Sequence, residues 1–236
     1  MCCEQLLELK HLSAWYTKEK NVLQDFNIEL GNHEVVGLIG LNGAGKTTFM
    51  KTLAGLINTC QVSEATFLGK KFTFHDKDFK KKRYVVFSEE HSFRYFTFNE
   101  YISYVAASYE KELTDVTELV QGFHFEEYTD VLLNELSTGN LKKAYLITAF
   151  ALKPELLLLD EPVNGLDFQS TEYLYQLMEA YKKHGTLLFS SHILESISLT
   201  CDSVLVLENG CISKKFEKHE INAGKIRKVL AENESV

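Results

Sequence analysis

Two prolines, Pro154 and Pro162, are all that 236 residues contain, and no Pro-, Gly- or Ser-rich linker, internal repeat or low-complexity tract breaks the chain. One compact unit is therefore the expected organisation. Apolar runs are short: Leu156 to Leu159 and Val35 to Ile39 are the longest, far below the roughly 20 residues a membrane helix needs. Positive charge is also in deficit, with 25 Lys and Arg against 33 Asp and Glu and a formal net charge of -8. That balance argues against a protein that coats nucleic acid, because phosphate binding draws on clustered cations. No nucleic-acid partner is expected. Five cysteines (Cys2, Cys3, Cys60, Cys201 and Cys211) form an odd count without metal-ligand spacing, and the eight histidines do not cluster. Free thiols and no protein-caged metal follow as expectations. Met1 to Gln5 carries neither a basic nor an apolar signal region, so the chain is expected to stay in the cytoplasm.

What is present is a 45% hydrophobic content, enough to bury a full core and to exclude disordered or fibrous classes. Leu6 to Tyr16 is strand-like, and Phe26, Ile28 and Leu30 alternate with polar residues ahead of a turn at Gly31-Asn32. Val35 to Ile39 is a continuous apolar run, as a strand buried on both faces should be. A helix is expected from Lys46 to about Leu56. Lys77, Lys80, Lys81, Lys82 and Arg83 read as a solvated lead-in to a buried strand at Tyr84 to Phe87. Thr97 to Glu100 has the form of a capping box, and Asp115 to Glu118 a weaker version of it. Residues of about 90 to 153 therefore read as mainly helical. Beyond Pro154, strands at Leu156–Leu159, Thr186–Ser190 and Ser203–Leu207 alternate with helices after Ser170 and near Ile193–Leu199. Such alternation predicts an α/β fold with a mostly parallel sheet and a helical insertion.

Three segments carry chemistry. Gly40-Leu41-Asn42-Gly43-Ala44-Gly45-Lys46-Thr47 fits G-x-x-x-x-G-K-[ST] between a strand and a helix, the context of a phosphate-binding P-loop. Its glycines turn backbone N–H groups toward an anion, and the helix that follows, with Thr48 in its first turn, directs its positive end at the same place. Lys46 suits β- and γ-phosphate charge, and the Thr47 hydroxyl suits Mg²⁺. Leu156 to Leu159 ends in Asp160-Glu161, at the strand terminus where α/β sheets place ligands. Asp160 can hold Mg²⁺ and Glu161 can orient or deprotonate a water. Leu136-Ser137-Thr138-Gly139-Asn140 would cap the helix at Leu141–Leu152 in any protein.

That last pentapeptide resembles the LSGGQ signature of ABC (ATP-binding cassette) ATPases, with Thr138 replacing a glycine and Asn140 replacing glutamine. Further landmarks follow in the family's order, so the resemblance covers essentially the whole chain. Tyr16, 24 positions ahead of Gly40, stands where the family stacks an aromatic ring on adenine; the alternatives are a core tyrosine or Trp15 in that role. Glu89, in Phe87-Ser88-Glu89-Glu90-His91, takes the place of a glutamine; it is either an oxygen ligand toward Mg²⁺ or part of a solvated acidic loop. Asn164-Gly165-Leu166-Asp167 resembles the D-loop, with Phe168 where proline is frequent. Ser190-Ser191-His192 resembles the switch segment, whose histidine contacts the γ-phosphate.

The resemblance implies a P-loop NTPase core (about 1–88 and 154–236) with an N-terminal antiparallel β region and an inserted helical subdomain (about 89–153). It implies ATP and Mg²⁺ as ligands, and ATP hydrolysis by Glu161, His192 and Lys46. ATP would lie on Tyr16, Gly40, Asn42, Gly43, Ala44, Gly45, Lys46, Thr47 and Thr48 of one copy and be closed over by Ser137 and Gly139 of another. Thr47, Asp160 and Glu89 would face the metal. The partners implied are a separate transmembrane permease and a second copy or a paralogous ATPase, with the chain peripheral on the inner face of the cell membrane. Glu89 and Asn164–Asp167 resemble drug or peptide exporters more than importers. A soluble ABC ATPase serving cofactor assembly or another cytosolic machine is the alternative.

Overall fold

Two sheets are built from the strand-forming segments, and their side-chain alternation sorts the core into two parts. The structure is a computed structural model describing residues 5–17, 20–89, 92–113 and 115–232; Cys2, Cys3, Glu90 and His91 lie outside the described residues. In chain order the first elements are β1 (Gln5–Thr17), β2 (Lys20–Gly31), β3 (Val35–Ile39), α1 (Lys46–Leu53), β4 (Cys60–Gln61), β5 (Glu64–Phe67), β6 (Lys70–Lys71), α2 (Lys77–Lys82) and β7 (Arg83–Val86). A helical stretch follows with α3 (Phe98–Ser108), α4 (Thr117–Gly122) and α5 (Thr138–Leu152). The chain then runs through β8 (Leu156–Asp160), α6 (Phe168–Ala180), β9 (Thr186–Ser190), α7 (Leu194–Thr200), β10 (Ser203–Glu208), β11 (Cys211–Glu217) and α8 (Ala223–Glu232).

The N-terminal sheet is antiparallel in the order β2-β1-β5-β6, with β4 also on β1; Leu9 faces Ile28 and Leu7 faces Phe67 across its ladders. The second sheet has the order β11-β10-β3-β9-β8-β7 and is parallel except for β11 at one edge. Its inner strands have two apolar faces. Val35 and Ile39 of β3, Leu157 and Leu159 of β8, and Leu187 and Phe189 of β9 join a core shared with the helices. Val36 and Leu38, Leu156 and Leu158, and Leu188 join a second core with the antiparallel sheet and α1. Burial on both sides is why these strands read as continuous apolar runs.

Thr97 caps α3 through a capping box with Glu100, as its spacing predicts. Asp115 departs from the expected pattern: its carboxylate accepts from the Thr117 backbone at 2.8 Å, an Asx turn that leads into α4 instead of a capping box. The strand expected at Tyr84–Phe87 is β7, at the sheet edge, with Tyr84 and Val85 only half-buried. The basic stretch before it is helical. Phe79 anchors α2 in the core, and the Arg83 guanidinium sits 4.5 Å over the Phe79 ring. Helix α1 stops at Leu53, before the glycine at 55, and α5 stops before Pro154, whose ring disfavours a helical residue ahead of it.

Candidate nucleotide site

Parallel strands end together, so the loops after β3, β7, β8 and β9 gather at one edge of the sheet. Gly40, just past β3, lies where a Cβ would meet the Leu207 carbonyl oxygen at 2.3 Å, so only glycine fits beside β10. Gly45 caps α1 with φ 113°, a left-handed conformation that lets the loop turn straight into the helix. The first turn of α1 holds no acidic residue, leaving the positive end of the helix free to act on an anion.

Lys46 is buried, and its ammonium donates to the carbonyls of Gly40 at 2.7 Å and Leu41 at 3.2 Å. Burial pushes its pKa down, while Glu161 and Asp160 pull it back up. Asp160 is 1% exposed and is gripped from α1, from β9 and from the loop after β7. Thr47 Oγ1 donates to its Oδ2 at 2.9 Å, Ser88 Oγ to the same oxygen at 3.2 Å, and Ser190 Oγ to Oδ1 at 2.7 Å. The register of β8 on β9, which sets Asp160 opposite Ser190, makes the last bond possible. Ser190 also accepts from the Glu161 backbone N–H at 2.9 Å.

Glu161 takes a left-handed backbone conformation (φ 49°), which re-aims the chain after the strand. Its Oε2 lies 2.8 Å from His192 Nδ1 and accepts a hydrogen bond from the ring. A cleft of about 390 Å³ runs past Asn42, Gly43, Gly45, Lys46, Thr47, Thr48 and Glu161, with Tyr16 and Val22 at its side. Tyr16 is 54% exposed and its hydroxyl is 3.4 Å from Thr48 Oγ1; the wall ring is thus Tyr16 and not Trp15. Ala44 packs behind the loop, where its carbonyl accepts from Gly210 N–H at 3.2 Å. The cleft is concave, half-open and lined by donors, which suits a phosphorylated ligand with one apolar ring.

Ser137 and Gly139 do not line this cleft. Ser137 is exposed and caps α5, its Oγ accepting from Asn140 N–H at 3.2 Å. Gly139 instead lies against the Gly165 carbonyl. Asp167 caps α6 through Ser170 N–H at 2.8 Å and pairs with Lys143 Nζ at 2.7 Å. Burial alone would raise the Asp167 carboxyl, but Lys143 and Ser170 hold it well below the usual carboxylate range. The cap sets the start of α6 at Phe168, ahead of the expected Ser170. Phe168 is the first residue of that helix, a position that tolerates proline, and is 80% exposed. Glu89 is exposed on the loop after β7, and the contact with Asp160 comes from its neighbour Ser88.

Sequence reasoning missed Ser88, Ser190 and Lys142 as members of this site. Lys142 is buried on α5 and donates to the Glu161 carbonyl at 3.0 Å. A serine or lysine inside a strand end or helix carries no pattern of its own; only the pairing of β8 with β9 and the packing of α5 expose its role.

A hard divalent cation fits the donors present. Thr47 hydroxyl and Asp160 carboxylate supply adjacent oxygens, and among the described residues no group of three or more His, Cys, Asp or Glu could cage a metal alone. That is the donor set of Mg²⁺, which keeps water and phosphate oxygens among its ligands. Among the described residues, no helix is long and apolar enough to cross a membrane.

The model of the family described as ABC transporter matches residues 23–164. AlbC of Bacillus subtilis, provisionally named as an ABC transporter ATP-binding protein, is 34% identical over 219 residues, covering 89% of this chain and 90% of AlbC. EcsA of the same organism, an ABC-type transporter ATP-binding protein, is 31% identical over 210 residues, covering 87% of this chain and 84% of EcsA. A solved ATP-binding subunit of an ABC transporter superposes with a TM-score of 0.82 at 29% identity, covering 96% of this chain and 93% of that one. A bacterial Atm1-family ABC exporter, at 18% identity and a TM-score of 0.81 over 98% of this chain and 42% of its own, shares the fold. The chain therefore belongs to the ABC transporter family, whose ATP-binding subunits hydrolyse ATP with Mg²⁺.

Proposed function

We propose that two copies of this chain, or this chain and a paralogue, sandwich two ATP molecules head to tail and drive a separate transmembrane permease from the inner face of the membrane. Lys46 and the N–H groups from Gly43 to Thr48 bind the phosphates, and Tyr16 stacks on the base. Bound Mg²⁺ would be held by Thr47 and Asp160, with Glu89 near, and would supply charge neutralisation at the phosphates. Glu161 accepts a proton from the attacking water, and His192 fixes the Glu161 carboxylate and reaches the γ-phosphate. Ser137 and Gly139 close over the partner's nucleotide. The helical stretch at about 89–153 moves against the permease while the core at about 1–88 and 154–236 holds ATP. We assign export as the direction, on the resemblance of Glu89 and Asn164–Asp167 to exporters.

One observation carries this reading. Lys46, Thr47, Asp160, Glu161 and His192 converge, while the exposed Ser137 at the head of α5 lies outside their cleft, as a residue serving another copy would.

Glu161→Gln tests it. The amide keeps size and hydrogen bonding but loses basicity, so turnover should fall by about 100-fold or more while ATP binding persists. Blocked hydrolysis should trap a dimer in Mg²⁺-ATP that Mg²⁺-ADP does not support, read by size-exclusion chromatography with light scattering. Wild-type turnover would remove Glu161 from its role. An inactive variant that binds ATP tightly yet stays monomeric would overturn the sandwich.

A further inference from the structure

Helix α5 reaches into the catalytic segment at three points. Gly139 abuts the Gly165 carbonyl, Lys143 pairs with Asp167 at 2.7 Å, and Lys142 Nζ donates to the Glu161 carbonyl at 3.0 Å. One helix thus holds the start, middle and end of residues 161–167. The grip at the start is the unusual one, because it spends a buried ammonium, 9% exposed, on a main-chain oxygen. Desolvating a lysine is unfavourable unless its donors are used.

The carbonyl it holds belongs to a residue in a left-handed conformation, φ 49°. A non-glycine residue there needs its flanking groups fixed. Ser190 Oγ fixes the Glu161 N–H at 2.9 Å, and Lys142 fixes the Glu161 C=O. The other bond to that carbonyl, from Asn164 N–H at 3.3 Å, is longer. With both main-chain groups of Glu161 tied, the backbone fixes where its side chain starts, and His192 at 2.8 Å holds its carboxylate end.

We propose that Lys142 is a positioning residue for hydrolysis: it holds the Glu161 backbone so that the carboxylate stays aimed at the water beside the γ-phosphate. It touches no substrate. This rests on the reading of Glu161 as the general base. Lys142 also links that base directly to the helix that Ser137 caps and whose first turn carries Gly139, beside the Gly139–Gly165 and Lys143–Asp167 contacts, so movement of α5 on closure reaches Glu161.

The test is steady-state and single-turnover ATP hydrolysis by the full chain carrying Lys142→Met or Lys142→Arg, with ATP affinity and thermal midpoint measured in parallel. Removing the donor should lower kcat by about tenfold or more, the scale of losing one charged hydrogen bond, with KM and ATP affinity unchanged. Arginine keeps a cationic donor within reach of the carbonyl and should restore kcat to within about threefold of wild type. In a Glu161→Gln background, Lys142→Met should add no further loss, because a misaimed amide has no base function to lose. A purely structural role would instead lower affinity and thermal midpoint in both backgrounds. If Lys142→Met does not fold, Lys142→Leu replaces it; failure of both neutral variants to fold would make Lys142 a core residue and overturn the proposal. Full turnover by Lys142→Met beside an inactive Glu161→Gln would overturn this proposal alone. Full turnover by Glu161→Gln would overturn the reading beneath it.

Discussion

Gly139 and Gly165 meet with no room for a side chain between them: a Cβ on Gly139 would lie 2.6 Å from the Gly165 carbonyl oxygen. The constraint is space and not backbone conformation, since Gly139 sits in the first turn of α5. It joins the segment proposed to close over a second copy's nucleotide to the loop that follows Glu161.

Gly139→Ala should therefore push the start of α5 away from residues 164–166. Overpacking of this kind costs about 1–3 kcal/mol, visible as a lowered thermal midpoint. ATP affinity of the isolated chain should hold, because neither glycine lines the nucleotide cleft. Turnover should drop by about tenfold or more. A variant that melts and turns over like wild type would show that α5 and the loop are free to separate.

Lys46→Ala removes the cation that lines the cleft, which the proposed function assigns to the phosphates. ATPase activity should fall by about 100-fold or more and nucleotide affinity should weaken, read by phosphate release and fluorescence titration. Without nucleotide, the thermal midpoint should not fall. The buried ammonium donates to the Gly40 and Leu41 carbonyls and is drawn to Glu161 and Asp160, and losing it relieves a desolvation cost that offsets those contacts. Turnover near wild type would sink the P-loop assignment.

What the sequence made legible was local. The loop at Gly40–Thr47, the apolar run ending at Asp160-Glu161 and the Thr97–Glu100 box each signal within a few residues. The rest depends on pairing between distant segments. Ser190 matters because β9 lies beside β8; Ser88 matters because β7 is the neighbour on the other side. Helix α2 hid in a basic run because its buried residue is Phe79 alone, and one apolar side chain in six gives no period. Tyr84 and Val85 read as buried because apolar composition does not reveal that β7 ends the sheet. Lys142 looked like any lysine on a helix; only the packing of α5 onto Glu161 reveals it.

Asp202 gives a prediction for acid. It follows α7, and its Oδ2 accepts from the Val35 backbone N–H at 3.0 Å while Oδ1 faces Lys182 at 3.0 Å and Lys218 at 3.3 Å. The carboxylate thus ties the start of β3 to the region of β10 and β11. Burial alone would raise its pKa, but the Val35 N–H and the two lysines outweigh it and hold the carboxyl below its ordinary value. Folding is then favoured by the ionised form, so the contribution is full above the unfolded pKa of about 3.9 and disappears as pH falls through the lower folded value. Glu34 works the other way, because burial raises its pKa and its charged form opposes folding. Comparing Asp202→Asn with wild type removes most of that neighbour's effect, because the Asp202 charge is the smallest of the causes that raise Glu34. The variant should be less stable by about 1–2 kcal/mol at pH 7, a modest figure because the pair with Lys218 is open to solvent. As pH falls below about 4 the gap should close, since protonation removes from wild type the charge the variant already lacks. Urea unfolding at a series of pH values measures it. A gap that stays constant down to pH 2 would show that the Val35 contact acts through shape alone, with the Asp202 charge contributing nothing.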